Sequence, residues 1–202
     1  MKRTRITLPI LASDLGVRVK YETAPMDQLA KRLQEDRADV AISGQAITST
    51  RENRVDFTVP TLCTGMTVLS LDPKLNKHTD LEGKTIAVGA GTILQGYVQK
   101  LPFEKKVNVY PNNTDVQYAM VTRAADATFV YSVMQPALRK IFSKAPIHFG
   151  PELWSVPIGM MLSEDSDSTR YALNLGIYKM MRNGSYAALS TKHFGKDARC
   201  RS

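Results

Sequence analysis

Residues 39–60 read DVAISGQAITSTRENRVDFTVP, and they predict both a fold class and a binding site. Val40, Ala41 and Ile42 form a short apolar run, which indicates a buried strand. We expect this strand to break at Ser43–Gln45, where small and polar residues free backbone N–H groups and let a ligand approach closely. The stretch therefore predicts a strand that ends at a ligand-binding turn.

The residues that follow this turn predict a carboxylate site. Thr48–Thr50 can cap the next helical turn, and Arg51 comes directly after them. A guanidinium beside several hydroxyl and N–H donors suits a planar carboxylate, because its fork matches both oxygens. In the structural alternative, Arg51 only caps a helix or forms an ion pair with Glu52 or Asp56.

The size and composition of the chain are those of a globular protein. Its 202 residues are enough for a sizeable core in one or two domains. It is 43% hydrophobic and 23% charged, and no apolar run approaches the length that spans a membrane. The basic start Met1–Pro9 lacks an apolar core, so we interpret it as a mature, recombinant or truncated start and not as a signal peptide.

The net charge of +8 raises the question of a nucleic-acid partner. The Lys and Arg residues are scattered, with no run longer than two and no interleaved aromatic stacking motif. We therefore interpret the charge as a basic surface and expect no nucleic-acid partner. Such a surface favours anionic ligands or membrane surfaces.

Cysteine and histidine residues give no sign of a metal or a cofactor. Cys63 and Cys200 lie far apart in sequence, and neither has metal-ligand spacing with His78, His148 or His193. A disulfide between the two cysteines is permissible in an oxidising compartment, and the sequence leaves that pairing open. We expect no metal and no cofactor, and we interpret the nine methionines as core residues.

Hydrophobic periodicity predicts alternating helices and strands, hence an α/β fold. The predicted helices are 5–16 (ending at Gly16), 25–33, 93–100, 114–123, 134–142 and 166–181. The predicted strands are 17–21, 40–42, 61–70, one within 81–92, 125–131 and 154–162.

A glycine-rich turn precedes the helix at Ile93 and predicts an anion site. Gly89, Gly91 and Thr92 place first-turn N–H groups and the positive end of the helix dipole outward. Neither the Walker A nor the dinucleotide-binding pattern is present. A purely structural turn is the alternative.

The phrase D-V-x-I-x-G-x-x-I-T-x-T-R-x-x-x-V-D-F-T-x-P in residues 39–60 resembles the signature of family 3 periplasmic solute-binding proteins. These are the polar amino-acid binders of ABC importers. The resemblance implies a type II, two-lobe α/β fold with a two-strand hinge that closes around the ligand. Lobe 1 would comprise residues 1–66 plus 162–202, and lobe 2 residues 67–161.

The same resemblance implies a function and a set of site residues. The chain would be a periplasmic receptor that captures an amino acid or similar small carboxylate for an ABC transporter permease. Arg51 matches the Arg that grips the α-carboxylate of the solute. Two further segments are implied as contacts, one in each lobe: Ser43, Gly44 and Ala46, and Gly91, Thr92 and Ile93.

One residue departs from the family pattern. Residues 125–131 resemble G-x-x-D-A-x-x-x-D, whose last Asp holds the α-ammonium of an amino acid, but this chain has Tyr131 there. A phenol is neutral at pH 7 and replaces that carboxylate poorly. Tyr131 is thus either a ligand contact or a packed aromatic residue at a strand end.

The resemblance also implies a missing beginning. We expect the family's opening strand and part of its first helix to be absent, which leaves a strand edge unpaired and permits a homodimer through it. The competing functions are a degenerate or sensory module without a transport ligand, and an enzyme resembling cyclohexadienyl dehydratase. The enzyme needs a positioned acid or base, and the candidate residues include neither a His nor a carboxylate.

Overall fold

The computed structural model describes residues 7–200, which form eight α-helices and eight strands. The helices are α1 (Thr7–Asp14), α2 (Leu29–Gln34), α3 (Ser49–Glu52), α4 (Ile93–Gln99), α5 (Asn113–Val121), α6 (Gln135–Ile141), α7 (Asp167–Arg182) and α8 (Ser185–Phe194). The strands are β1 (Ala41–Ala46), β2 (Asp56–Phe57), β3 (Leu62–Ser70), β4 (Thr85–Gly89), β5 (Lys106–Tyr110), β6 (Ala127–Tyr131), β7 (His148–Phe149) and β8 (Trp154–Leu162). Single 3-10 turns occur at Met26–Gln28, His78–Leu81 and Ser132–Met134. The α/β class predicted from the sequence is confirmed.

The chain folds as two compact units. Unit 1 comprises the chain up to Ala24, Gln28–Cys63 and the chain from Val156 onward, whereas unit 2 comprises Pro25–Asp27 and Thr64–Ser155. The lobe boundaries given above stay a prediction.

Strand β8 is the centre of unit 1. It pairs antiparallel with β1 on one side and β2 on the other, so that Ala41 and Phe57 both lie opposite Met161. Successive side chains of a strand point to opposite faces. Accordingly, Met160 packs in a cluster with α1, α7 and α8, and Met161 packs in another with Leu33 of α2. Helices therefore cover both faces of this sheet.

Strand β4 is the centre of unit 2. It pairs in parallel with β5 and with β6, and β6 pairs antiparallel with β3. The buried faces of α5 and α6 pack on this sheet through Met120 and Leu138. Of the methionines, these are buried: Met66, Met120, Met160, Met161 and Met180.

Most predicted elements are present, but the strand at 17–21 is wrong. That segment has no regular structure and is largely exposed; only Val19 packs against the core. A strand needs a hydrogen-bonded neighbour, and none of the described strand pairings includes this segment. In the predicted helix at 25–33, Met26 does not join the cluster formed by Leu29, Ala30 and Leu33.

Two local questions from the sequence concern the end of α1 at Gly16 and the pairing of Cys63 with Cys200. Gly16 has φ +66 and follows α1 as predicted, with Val17 N donating to Ala12 O at 3.0 Å. Residues 5 and 6 of the predicted helix lie outside the described residues. Cys63 and Cys200 form a disulfide with their Cα atoms 4.7 Å apart, which answers the question that the sequence left open.

Candidate functional site

In unit 1 the candidate site is built on an irregularity in β1. Gly44 has φ +69, a conformation that glycine reaches at no steric cost, and the register against β8 shifts between Ala41 and Gln45. Gln45 is 2% exposed, and its Nε2 donates to Ser43 Oγ at 2.8 Å. The pairing is interrupted at Ser43–Gln45, where we predicted a break, but the predicted end of the strand there is wrong: the strand continues to Ala46, because a bulge interrupts pairing without ending it.

Arg51 is fixed to the end of this strand. Its backbone N–H donates to Thr48 O at 2.9 Å, which starts α3, and its Nη1 donates to Ala46 O at 2.9 Å. The half-buried guanidinium is thereby held beside the bulged segment. The structure thus brings two of the predicted residues, Arg51 and Ala46, together. Thr48 is the N-cap residue of α3, but its side chain makes no capping hydrogen bond. Asp56, which the structural alternative pairs with Arg51, has its Oδ2 3.7 Å from Nε of Arg170.

In unit 2 the candidate site is the turn between β4 and α4. Gly91 has φ +70, and a Cβ placed on it would lie 2.9 Å from Asp27 Cα, so the position requires glycine on two grounds. Thr92 caps α4, since its Oγ1 accepts from Gln95 N at 3.2 Å and donates to Gly89 O at 2.7 Å. Hydrogen bonds of Thr92 therefore hold the conformation of the turn at the start of α4.

Gln95 is a participant that the sequence reasoning missed. Its Oε1 accepts from Gly91 N at 3.0 Å, so one of the N–H groups that we expected to meet an anion is occupied by a side chain. A solute oxygen has to displace the Gln95 amide to reach it. The pattern Thr92-x-x-Gln95 is that of a capping box, which would place the Gln95 side chain on the N–H of Thr92. The observed bond goes to the N–H of Gly91 instead, so the sequence pattern does not predict it.

Tyr131 ends β6, opposite Met66 of β3, and is half-buried. The chain beyond it is fixed by a buried pair of hydroxyls, Ser132 Oγ and Thr64 Oγ1, 3.4 Å apart. Thr64 Oγ1 also accepts from Val133 N at 3.3 Å. These bonds hold the end of β6, and with it the backbone of Tyr131.

An aromatic cluster that the sequence did not reveal lies in the same unit. Tyr97 of α4 packs on Trp154 and Phe129, with ring centroids 4.3 and 5.5 Å away. Burial raises the pKa of the Tyr97 phenol. Tyr97 lies on α4, which Thr92 caps, and Phe129 lies on β6, which ends at Tyr131. The cluster therefore packs these two elements against each other.

Two properties of the described residues bear on the chemistry. Among residues 7–200, no group of three or more His, Cys, Asp or Glu side chains is arranged to hold a metal ion. Over the same part of the chain, every helix is too short or too polar to cross a bilayer.

The fold and these turns define a class, the type II periplasmic binding proteins. The model of the bacterial extracellular solute-binding proteins, family 3, matches residues 8–196, and the chain belongs to this family. Both the predicted fold and the predicted family are confirmed.

Similar proteins include binders and an enzyme. The chain is 27% identical over 192 residues to the L-cystine-binding protein TcyJ of Escherichia coli (strain K12), covering 93% of this chain and 71% of that one. It is 23% identical over 159 residues to the cyclohexadienyl dehydratase of Pseudomonas aeruginosa, covering 73% and 59%. The structure of an ancestral arginine-binding protein bound to arginine matches with a TM-score of 0.87 at 25% identity, covering 92% of this chain and 84% of that one.

Proposed function

We propose that this protein is an extracytoplasmic receptor that binds an amino acid or a similar small carboxylate and delivers it to an ABC transporter permease. Membership of the solute-binding family supports the class of function. The observation that supports a carboxylate ligand is the position of the Arg51 guanidinium: its Nη1 donates to Ala46 O at 2.9 Å, which holds the group beside the bulged β1 segment. The Cys63–Cys200 disulfide supports an oxidising compartment such as the periplasm.

We propose the following roles for the candidate site residues. In unit 1, Arg51 binds the carboxylate through its two-pronged guanidinium, and Ser43, Gly44 and Ala46 supply further polar groups. In unit 2, the proposed contacts are Gly91, Thr92, Ile93 and Tyr131. Displacement of the Gln95 side chain from Gly91 N–H accompanies binding in this proposal.

A thermal-shift screen tests the carboxylate site. The panel contains L-arginine, L-cystine, L-glutamine, dicarboxylates and aromatic carboxylates, and each amino acid is paired with its des-amino analogue. A ligand at about 100 times its Kd adds about 2.7 kcal/mol to the free energy of unfolding. We expect a rise in Tm with one class that disappears in Arg51→Ala and persists in the control Arg54→Ala.

The des-amino analogues address Tyr131. If Tyr131 contributes no charge to the ammonium, an amino acid and its des-amino analogue give similar shifts, whereas a strong preference for the amino acid indicates another acceptor. If the protein is folded and no compound of the panel raises its Tm, the receptor function is contradicted and a degenerate or sensory module is favoured.

The second candidate function is an enzyme, favoured by the similarity to a cyclohexadienyl dehydratase. We propose that this protein is not an enzyme, since none of the candidate site residues is a His or a carboxylate that can act as acid or base. Incubation with prephenate tests this, because formation of phenylpyruvate contradicts the proposal. A homodimer through an unpaired strand edge stays a prediction.

A further inference from the structure

One face of α7 carries an exposed apolar stripe that the proposed solute site does not use. Tyr171, Leu175 and Tyr178 are 66%, 52% and 51% exposed. At 100° per residue, these three side chains lie within about 60° of the helix circumference. The opposite face of α7 buries Leu173 and Ile177 in the core of unit 1. The stripe is therefore a coherent surface on a firmly packed helix.

The stripe has opposite charges at its two ends. Asp167, in the first turn, has a side chain that is 78% exposed and pairs with Arg170 of the same helix. Arg182, in the last turn, is also exposed. Both residues lie on the same face as Tyr171 and Tyr178, within about 80° of circumference for the whole set. Read along the helix, the stripe is acid, Tyr, Leu, Tyr, base.

The spacing of these residues is self-complementary. The pair Asp167 and Arg182 and the pair Tyr171 and Tyr178 share one midpoint, between residues 174 and 175. When two copies of α7 lie antiparallel about a two-fold axis through that midpoint, each Asp167 faces the partner's Arg182. Each Tyr171 then faces the partner's Tyr178, and the two Leu175 side chains meet beside the axis.

We propose that this face of α7 is the contact surface of a two-fold symmetric dimer with a second copy of this chain. The same patch then serves on both copies, as a two-fold interface requires. A parallel arrangement would set Asp167 against the partner's Asp167 and Arg182 against the partner's Arg182. The charges therefore select the antiparallel pairing.

The area of the stripe sets the strength of the contact. Two tyrosines and a leucine, each more than half exposed, offer on the order of 300 Å² per copy. Stable interfaces bury about 800 Å² per partner, so the dimer is weak and depends on protein concentration. The ion pairs at the ends are solvated, and they contribute orientation more than affinity.

Sedimentation equilibrium from the micromolar to the millimolar range tests the surface. For the unchanged chain, we expect the weight-average mass to rise with concentration above the monomer value. Leu175→Lys removes this rise. Ile141→Lys, which changes a residue that is 64% exposed on α6, leaves it intact. A monomeric mass at every concentration, or the same behaviour in both variants, overturns the proposal.

Charge reversal tests the antiparallel pairing. Asp167→Lys and Arg182→Glu each place like charges across the contact, and each lowers the association constant by about five- to ten-fold. The double variant restores association, and so does an equimolar mixture of the two single variants, because opposite charges face each other again. Circular dichroism confirms that each variant is folded. Failure of both the double variant and the mixture to restore association overturns the antiparallel pairing.

Discussion

At the scale of single residues, Tyr186 of α8 has a buried hydroxyl that lowers the free energy of unfolding, and one substitution removes it. The side chain is 7% exposed, and its hydroxyl has no hydrogen-bond partner among the described residues. The nearby Ser190 hydroxyl donates to Lys196 O at 2.8 Å and accepts from Ala198 N at 2.9 Å. It makes no hydrogen bond to the Tyr186 hydroxyl, and its influence lowers the pKa of that phenol by less than burial raises it. A buried hydroxyl without a partner costs about 1–3 kcal/mol.

We therefore expect Tyr186→Phe to raise the free energy of unfolding by about 1 kcal/mol, because it deletes an unpaired polar group and keeps the ring. Urea unfolding followed by circular dichroism measures the change. Tyr118→Phe, at a tyrosine that is 55% exposed on α5, is the control and leaves stability unchanged. A less stable Tyr186→Phe variant would show that the hydroxyl has a partner.

The same residue predicts a dependence on alkaline pH. Burial raises the pKa of Tyr186 to about 12, so the folded state favours the neutral phenol. The contribution of the neutral phenol to the free energy of unfolding is complete below the unfolded pKa of about 10, and it is lost as pH rises through about 12. By linkage the full loss amounts to about 3 kcal/mol. Over this interval, the stability of Tyr186→Phe falls less steeply with pH.

Residue identity alone predicted some of the candidate site and not the rest. Gly44 was recognised because small residues let a ligand approach the backbone, Gly91 because it precedes the N-terminus of a helix, and Arg51 because its fork suits a carboxylate. Their roles toward a solute stay predictions. Gln95 and Tyr97 were missed, because their roles depend on which atoms the fold brings near them.

At the scale of elements, prediction succeeded where burial dominates. The bounds of β8 match the predicted 154–162, because its sequence is largely apolar and residues 158–162 are buried. The segment 17–21 has the alternation of a strand but no strand beside it. Strand β5 was overlooked although Lys106–Tyr110 alternate polar and apolar residues. This strand forms because β4 lies beside it, whereas segment 17–21 has no such neighbour among the described strands. Pairing partners are not encoded locally.

The turn before α4 gives a prediction at this scale. Gly91→Ala lowers the free energy of unfolding by at least about 2 kcal/mol, because alanine disfavours φ +70. Its Cβ would also lie 2.9 Å from Asp27 Cα. Gly96→Ala is the control within α4: a Cβ there meets nothing within 4 Å, and the change stabilises the helix by about 0.5–1 kcal/mol. Equal effects of the two variants on the thermal midpoint would contradict this account of the turn.

At the scale of the whole molecule, motifs spread along the sequence predicted the family and the fold class, because each motif fixes a local turn that the fold requires. The disulfide could not be predicted from these motifs. Its two cysteines are 137 residues apart in sequence, and only the folded chain brings their Cα atoms to 4.7 Å. Cys63 N also donates to Ala198 O at 2.8 Å, so the bond joins two segments that are already in contact.

This disulfide is expected to contribute to the stability of the whole chain. Closing a loop of this length removes unfolded-state entropy worth up to about 5 kcal/mol at 25 °C. Native contacts at Cys63 remain after reduction, so the folded state survives with a lower free energy of unfolding. Unfolding in guanidinium chloride, with and without a reducing agent, measures the difference.

The double variant Cys63→Ala/Cys200→Ala separates the bond from other effects of the reducing agent. It should unfold at the same denaturant concentration as the reduced protein and no longer respond to the reducing agent. An unchanged midpoint in the variant would mean that the C-terminal segment is held by its backbone and side-chain contacts alone. Residual structure that already restricts the entropy of the unfolded chain is one reason for disulfides to stabilise less than loop length implies.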